Sequence, residues 1–197
     1  MSQGAVRPTV LRRDAARNRR RILDAARSLA DDGKPLQLNL VAQHAGVGVA
    51  TVYRHFPTSE ALTEALAAEQ ISILISKVES VPQTVQGLRC FIKTALAVFM
   101  RDSAPATALI DPVTDDVRTQ RRRLLYGLRS LVTGIVASDP SLSPTLGPTD
   151  AMLLLCGAGT AIRHAPDRSD PTLPDRYLRA LLVGLLPRRP RNGMAVR

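Results

Sequence analysis

The 197-residue chain has no tryptophan, and aromatic residues make up only 3% of it. A hydrophobic core must therefore be built from Leu, Ala, Val and Ile, which supply most of the 45% hydrophobic content. Such a composition suits helices packed on helices. No stretch alternates apolar and polar residues as a half-buried strand would, and no internal repeat is present. Composition and patterning together predict an all-α protein.

Cysteine is also scarce, since only Cys90 and Cys156 are present, far apart and each within an apolar run of helical spacing. The chain has no CxxC pair and no Cys/His cluster, so neither a disulfide framework nor a metal site is indicated. We predict that both cysteines are buried thiols in a reducing compartment. The N-terminus lacks an apolar signal segment, and the longest apolar stretch, 151–162, is too short to span a bilayer. The expected location is the cytoplasm, without membrane contact.

Residues that could carry catalysis are few and scattered. His44, His55 and His164 lie apart, and no paired carboxylates fall at helical spacing beside a histidine. The glycines form neither GxGxxG nor a phosphate-binding loop. We therefore expect no enzymatic activity and no cofactor.

Positive charge is what the chain has in excess, with 27 Lys and Arg against 17 Asp and Glu and a formal net charge of +10. An arginine-rich composition alone would raise the charge everywhere, but here the arginines cluster at 12–21. Ile22, Ala26 and Leu29 follow at helical spacing, so the cluster begins a first helix and covers its exposed side. A solvated charged face is one interpretation, and contact with the phosphates of a polyanion is the other.

The most informative stretch is 38–56, LNLVAQHAGVGVATVYRHF. Its first half places four apolar residues at helical spacing, and Gly46 can adopt the left-handed conformation that ends a helix. A second helix over 49–56 turns Val52 and Phe56 inward and leaves polar residues on its other faces. Two helices joined by a short glycine-containing turn predict a helix-turn-helix, whose second helix commonly reads a DNA major groove.

The stretch continues as FPTSEAL at 56–62, and the pattern from Val41 to Leu62 resembles the N-terminal domain of TetR-family transcriptional repressors. The resemblance covers about residues 12–75, and beyond them it rests on length and helical pattern. By this resemblance Tyr53 is expected at a phosphate, and Ala50, Thr51 and Arg54 are candidates for reading bases. The expected DNA-binding residues are Arg13, Arg17, Gly48, Val49, Ala50, Thr51, Tyr53, Arg54, His55 and Thr58.

Three positions depart from the family's pattern. Gly48 replaces the Ser or Thr that often caps the recognition helix, which predicts a weaker cap. Val49 replaces a frequent Lys or Arg, and Ser59 replaces a Lys that often meets phosphate. These changes affect particular contacts and leave the module as predicted.

Breaks in the helical pattern predict the domain organisation. We expect a flexible arm at 1–11, a helix-turn-helix domain at 12–57, a helical ligand-binding and dimerisation domain at 58–187, and a basic tail at 188–197. Thr58 can cap a helix that runs to about Lys77. Further helices are predicted over 83–101, 106–110, 115–136, from a cap at Thr149 or Asp150 to His164, and over 175–186.

The last two predicted helices are apolar on more than one side, and Gly157, Gly159 and Gly184 permit close approach of backbones. A helix of this kind is buried on more than one side, either centrally in the monomer or against a second subunit. The resemblance favours the second case, a homodimer through the final two helices.

The resemblance also implies an effector cavity among the middle helices of the C-terminal domain, although a plain core role is the alternative for each residue there. We thus expect a homodimeric repressor that binds a palindromic double-stranded operator and is released by an unknown small-molecule effector. One alternative is a DNA-binding protein without a ligand, and another is a small-molecule-binding or enzymatic helical protein with an incidental basic arm. The candidate cavity residues are Leu96, Phe99, Met100, Tyr126, Leu128, Cys156 and Arg163.

Overall fold

The computed structural model describes residues 8–32 and 34–188 of the chain. The predicted arm and tail therefore lie largely outside the described residues, although the first helix already begins at Pro8. The structure confirms the all-α class, because the one strand-like feature among the described residues is a single antiparallel bridge between Leu142 and Arg188. The described helices are α1 (Pro8–Asp31), α2 (Leu38–Ala45), α3 (Val49–His55), α4 (Ser59–Ser80), α5 (Val85–Arg101), α6 (Ala104–Ile110), α7 (Asp115–Ser138), α8 (Pro148–His164) and α9 (Leu173–Leu185).

The chain forms two compact units, one ending at Ala67 and the other beginning at Ala68. In the first unit α1, α2 and α3 pack against one another. The apolar stripe of each helix turns into one shared core, as the spacing predicted. The core residues are Ile22, Ala26, Leu29, Leu38, Val41, Ala42, Ala45, Val52, Phe56 and Leu62.

The turn between α2 and α3 follows the predicted geometry. Gly46 adopts φ 60° and ψ 40°, which is the left-handed conformation that a glycine enters without a Cβ clash. The amide of Val47 then donates to the carbonyl of Ala42 at 3.1 Å, which satisfies a carbonyl at the end of α2. This turn fixes where α3 begins.

In the second unit α5 packs against α8 and α9, and α7 packs against α8. Phe91 and Phe99 of α5 are among the largest fully buried side chains of the described residues. Cys156 of α8 is buried, as predicted, whereas Cys90 is only half-buried, and both thiols are free. No helix within 8–32 and 34–188 is long and apolar enough to cross a membrane.

Several helices begin earlier than the sequence predicted, and proline is the common reason. Pro105, Pro148 and Pro174 lie in the first turns of α6, α8 and α9, where their missing N–H would have no intrahelical partner anyway. The prediction of a cap at Thr149 or Asp150 was therefore wrong. Gly147 is the capping residue, and its amide donates to Asp150 Oδ2 at 2.9 Å.

Candidate DNA-binding site

Helix α3 is anchored by one face and presents the other to solvent. Val52 is fully buried and Phe56, at its end, is 3% exposed, whereas the ring of Tyr53 is 48% exposed. Both inward residues thus lie where the spacing predicted. The predicted DNA-contacting residues of α3 are on the outside: Val49, Ala50 and Arg54 are exposed, and Thr51 and His55 are half-buried.

The start of α3 has no side-chain cap. Gly48 occupies the capping position in an extended conformation, and only its carbonyl, which accepts from the Thr51 amide at 2.8 Å, supports the first turn. A Ser or Thr hydroxyl at this position would have satisfied a further amide. The weak cap predicted from Gly48 is therefore present in the structure.

Arg54 folds back along its own helix. Its Nε donates to the carbonyl of Ala50 and its Nη2 to Thr51 Oγ1, both at 3.3 Å. These hydrogen bonds are long and exposed to solvent, so they contribute little stability. Arg54 can exchange them for a contact with DNA at small cost.

An open groove runs beside α3, between the start of α2 and the start of α4, and Tyr53 lies on its wall. Its polar lining includes the side chains of Gln37, Asn39, Thr58 and Ser59, which carry neutral hydrogen-bonding groups. Thr58 also has a structural role, because its Oγ1 accepts from the Ala61 amide at 3.1 Å and so caps α4. The groove can therefore offer several neutral donors to one anion.

Sequence reasoning missed Gln37 and Asn39. Gln37 occupies the capping position of α2 without making a side-chain hydrogen bond, and Asn39 is the second residue of that helix. Both are exposed polar residues at the start of α2, and that pattern was the available signal.

The groove contains one ionised group of the wrong sign for a phosphate, Glu60. A hydrogen bond from its own amide, together with the hydroxyls of Thr58 and Ser59, holds the pKa of this carboxyl below its usual range. Glu60 therefore stays negatively charged at any pH near neutrality. Among the residues whose side chains the structure describes, no Lys or Arg lines the groove.

The positive charge that the groove lacks is found on α1. Arg13, Arg17 and Arg20 recur on one face of this helix, and all three are exposed. Arg17 lies 3.9 Å from Asp14, a distant pair that is open to solvent and holds neither side chain firmly. The face is thus available to an anionic partner, and Arg20 is a member that the sequence analysis did not single out.

Two further exposed arginines of α1 contact other parts of the helix-turn-helix. Arg21 Nη2 donates to the carbonyl of Gly46 at 3.2 Å, and the Arg19 guanidinium carbon lies 5.5 Å from the centre of the Phe56 ring. The first contact satisfies a carbonyl in the turn before α3, and the second is a cation–π contact at the residue that ends it. Both side chains are exposed, as the sequence analysis predicted for the cluster, and these contacts are an additional role that it did not predict.

In the second unit, a cavity of about 160 Å³ is enclosed by α5, α7, α8, α9 and the loop before α8. Of the seven predicted effector residues only Leu128 lines it. Leu96, Phe99 and Cys156 are buried in the core, Met100 and Arg163 are half-buried, and Tyr126 is 75% exposed on the outside of α7. The structure does not gather these residues into one site, so their contact with an effector stays a prediction.

Helices α8 and α9 also carry apolar side chains on their outer surfaces. Leu153 and Leu154 of α8 are 40% and 45% exposed, and Val183 of α9 is 73% exposed. A Cβ added at Gly157 or Gly184 would meet no atom within 4 Å, whereas one at Gly159 would lie 2.3 Å from Phe99 Cβ. Gly159 therefore serves packing inside the unit, and the other two glycines leave their helix surfaces open.

The first unit has a buried helix-turn-helix core and an exposed α3, and the second unit is all-helical. These features are typical of the class of helix-turn-helix transcription regulators. Residues 22–66 match the family model described as bacterial regulatory proteins, tetR family. These residues therefore form a TetR-type helix-turn-helix domain, and the chain has the fold of TetR transcription regulators, which are not enzymes. No curated protein gives a significant match.

Three solved structures with the same fold align with this chain over nearly their whole length. A TetR transcriptional regulator from Streptomyces coelicolor is 26% identical, with 86% of this chain and 98% of that one covered and a TM-score of 0.51. FadR from Thermus thermophilus, in complex with lauroyl-CoA, is 19% identical over 90% and 100% of the two chains, with a TM-score of 0.58. AibR, in complex with isovaleryl coenzyme A and operator DNA, is 16% identical over 87% and 100%, with a TM-score of 0.57.

Proposed function

We propose that the protein is a homodimeric repressor that binds a palindromic operator and releases it when a small-molecule effector binds. The observation that carries this proposal is the surface around α3. An exposed helix, a groove of neutral donors and a row of exposed arginines on α1 belong to one compact unit. These are the parts that base reading and phosphate binding require.

In this proposal α3 lies in the major groove of DNA. Thr51 and Arg54 are placed to reach base edges, with Gly48, Val49, Ala50 and His55 beside them on the same short helix. Tyr53 binds a backbone phosphate from the wall of the groove, together with the amides of Gln37 and Asn39, while Thr58 holds the start of α4 there. Arg13, Arg17 and Arg20 bind the flanking phosphates.

We propose that dimerisation uses the outer surfaces of α8 and α9. Exposed Leu153, Leu154 and Val183 would be removed from water there, and the open surfaces at Gly157 and Gly184 allow a partner backbone to approach closely. Two-fold symmetry would present two copies of α3, so the operator half-sites should be about one helical turn, or a multiple of it, apart.

Release by an effector is supported by the cavity in the second unit and by the relatives that bind acyl-CoA ligands. The proposal requires the ligand to prefer a conformation in which the two reading heads no longer fit the operator, since a ligand without such preference changes nothing. Within the second unit, α4 is held to α7 by a bidentate pair of Arg123 with Glu79, at 2.6 and 2.7 Å. Gln120 of α7 adds hydrogen bonds to Ala68 and Ser72 of α4. Helix α4 is therefore the element that can carry a change toward α3.

The test is binding to the DNA immediately upstream of the protein's own gene, titrated at several salt concentrations with random DNA as the control. We expect tight, sequence-selective binding whose affinity falls with salt. Tyr53→Phe should weaken it at fixed salt because the hydroxyl meets a phosphate, and Tyr126→Phe, an exposed tyrosine of the other unit, is the matched control. Absence of binding even at low salt would refute the proposal.

A further inference from the structure

We propose that the cavity in the second unit binds a small monocarboxylate with a compact apolar body, such as a single ring or a short branched chain, and that Arg129 pairs with its carboxylate. The inference rests on the proposed function, because it names the class of effector. Apart from Leu128, it concerns residues that the sequence analysis did not select.

The walls of the cavity are almost entirely hydrocarbon. The deepest wall residues, Leu88, Leu128, Ala151, Leu155 and Leu185, are all buried in the second unit. Val132, Leu146 and Pro148 are half-buried and complete the apolar lining. Such walls offer few hydrogen bonds to water and therefore favour an apolar group.

The mouth of the cavity lies at Arg129 and Thr133, because these are the exposed members of the lining. Among the described residues of the lining, only these two have polar side chains. The amide of Gly147, which lies on the wall, is already used by Asp150 Oδ2. A ligand with an apolar body inside would therefore place its polar end beside a guanidinium and a hydroxyl.

Arg129 differs from the other exposed arginines of α7. Arg118 pairs with Asp115, Arg122 donates to Thr119 and Arg123 pairs with Glu79. For Arg129 the described part of the chain provides neither an ion pair nor a hydrogen bond. A positive charge without a partner, placed at the mouth of an apolar cavity, selects an anionic head group, and a guanidinium matches a carboxylate with two parallel N–H donors.

The volume limits the size of the apolar body. A cavity of about 150 Å³ holds a benzene molecule, and the cavity here measures about 160 Å³. A body of roughly six carbons therefore fits, whereas a twelve-carbon chain has about twice that number and does not. This chain should thus discriminate against the lauroyl group of the ligand bound to its Thermus thermophilus relative.

The experiment is calorimetry on the whole protein without DNA, using phenylacetate, 4-methylpentanoate, laurate and the neutral isostere phenylacetamide. We expect saturable binding of both small carboxylates, weaker binding of phenylacetamide and no binding of laurate. Arg129→Gln should weaken the binding of phenylacetate by about fivefold, which is the effect of losing a solvent-exposed ion pair. The affinity for phenylacetamide should be unchanged. Arg122→Gln, an exposed arginine of the same helix outside the cavity, is the control and should bind like the wild type.

Val132→Phe should fill the cavity and abolish binding of all four compounds, and if this variant fails to fold, the Arg129→Gln comparison still decides. The inference is overturned if neither small carboxylate binds, if laurate binds more tightly than phenylacetate, or if Arg129→Gln leaves phenylacetate unchanged. Because no DNA is present, these failures are separate from failure of the repressor proposal, which operator titration tests.

Discussion

The negative charge of Glu60 opposes the binding of a phosphate that is proposed for the groove beside it. It lines the groove beside Tyr53, where a DNA phosphate is proposed to bind, and its lowered pKa keeps it negatively charged. In the family's usual pattern a lysine often stands next to it, at the position of Ser59. At this point the chain therefore has the neutral hydroxyl of Ser59 beside the negative charge of Glu60, whereas a positive charge would attract the phosphate.

We predict that Glu60→Gln strengthens operator binding, because the repulsion between a carboxylate and a phosphate is removed. The expected gain is roughly twofold at moderate salt, since the site is exposed and screened. The affinity is measured by titration of labelled operator, with Glu69→Gln in the other unit as the control for a change in net charge. Equal affinities of Glu60→Gln and the wild type would place the phosphate elsewhere.

Burial raises the pKa of the Cys156 thiol to about 12. Between about pH 9 and pH 12 the thiol of the unfolded chain ionises while the folded one keeps its proton. The free energy of unfolding should therefore fall as the pH rises through this window, by up to about 1.4 kcal/mol per pH unit from this group. Cys156→Val, which has similar volume and no proton to lose, should show a shallower decline in denaturant titrations, and parallel curves would contradict the assignment.

In the proposed function the arginines of α1 have two tasks, phosphate binding and support of the fold, and a salt titration separates them. Arg20 is exposed beside Arg13 and Arg17, whereas Arg21 donates to the carbonyl of Gly46. Arg20→Gln should reduce the slope of log affinity against log salt by about 1.8 for the proposed dimer, because each subunit loses one phosphate contact worth about 0.9. Arg21→Gln should leave the slope unchanged and lower the free energy of unfolding by about 1 kcal/mol. A reduced slope in Arg21→Gln would show that this residue contacts DNA directly.

The contact between α5 and α8 is closest at Gly159, where an added Cβ would lie 2.3 Å from Phe99 Cβ and 3.4 Å from the Phe99 backbone. Because this backbone cannot move without displacing α5, we predict that Gly159→Ala lowers the free energy of unfolding by about 1–3 kcal/mol. Gly157→Ala in the same helix meets no atom of its own subunit, so at concentrations low enough to keep the protein monomeric it should be neutral, or stabilising by up to about 1 kcal/mol through helix propensity. Urea denaturation measures the free energy of unfolding of both variants, and equal changes in the two would contradict the prediction.

At the level of elements, the sequence predicted what local spacing determines. The apolar periodicity of 38–45 and the glycine at 46 specify α2 and its left-handed end without reference to the rest of the chain. The starts of α6, α8 and α9 were predicted too late because proline was interpreted only as a helix breaker. The groove at Gln37 and Asn39 and the contacts of Arg19 and Arg21 could not be predicted, since each depends on how separate helices meet.

For the whole molecule, the proposed dimer makes a direct prediction. Val183 is 73% exposed on α9, so Val183→Glu should leave the fold of the subunit intact and place a charge in the proposed interface. Analytical ultracentrifugation should then find monomers at concentrations where the wild type is a dimer, and operator affinity should fall because only one half-site is bound. Val113→Glu, at another exposed valine, is the control. A dimeric Val183→Glu protein would exclude this surface.

The position of the cavity depends on how helices that are distant in the sequence pack together. The prediction selected residues from the family resemblance and from helical placement, and neither can say which buried side chains leave a space between them. Leu96, Phe99 and Cys156 fill the core, whereas the cavity opens beside Leu128, where α7 meets the loop before α8. Cavities arise from imperfect packing between distant segments, and one sequence holds little information about that.

The separation of charge from α3 has a consequence for how such a protein would find its site. Positive charge lies on α1, while the outer surface of α3 depends on neutral groups and on an arginine folded against its own helix. The protein would then slide along any DNA with its α1 arginines bound to phosphates, and it would stop only where α3 fits the base sequence. The time spent on non-specific DNA would be set by α1, and the selection of the operator sequence would be set by α3. Exchanging the surface residues of α3 would retarget the protein, and its speed of search would be unchanged.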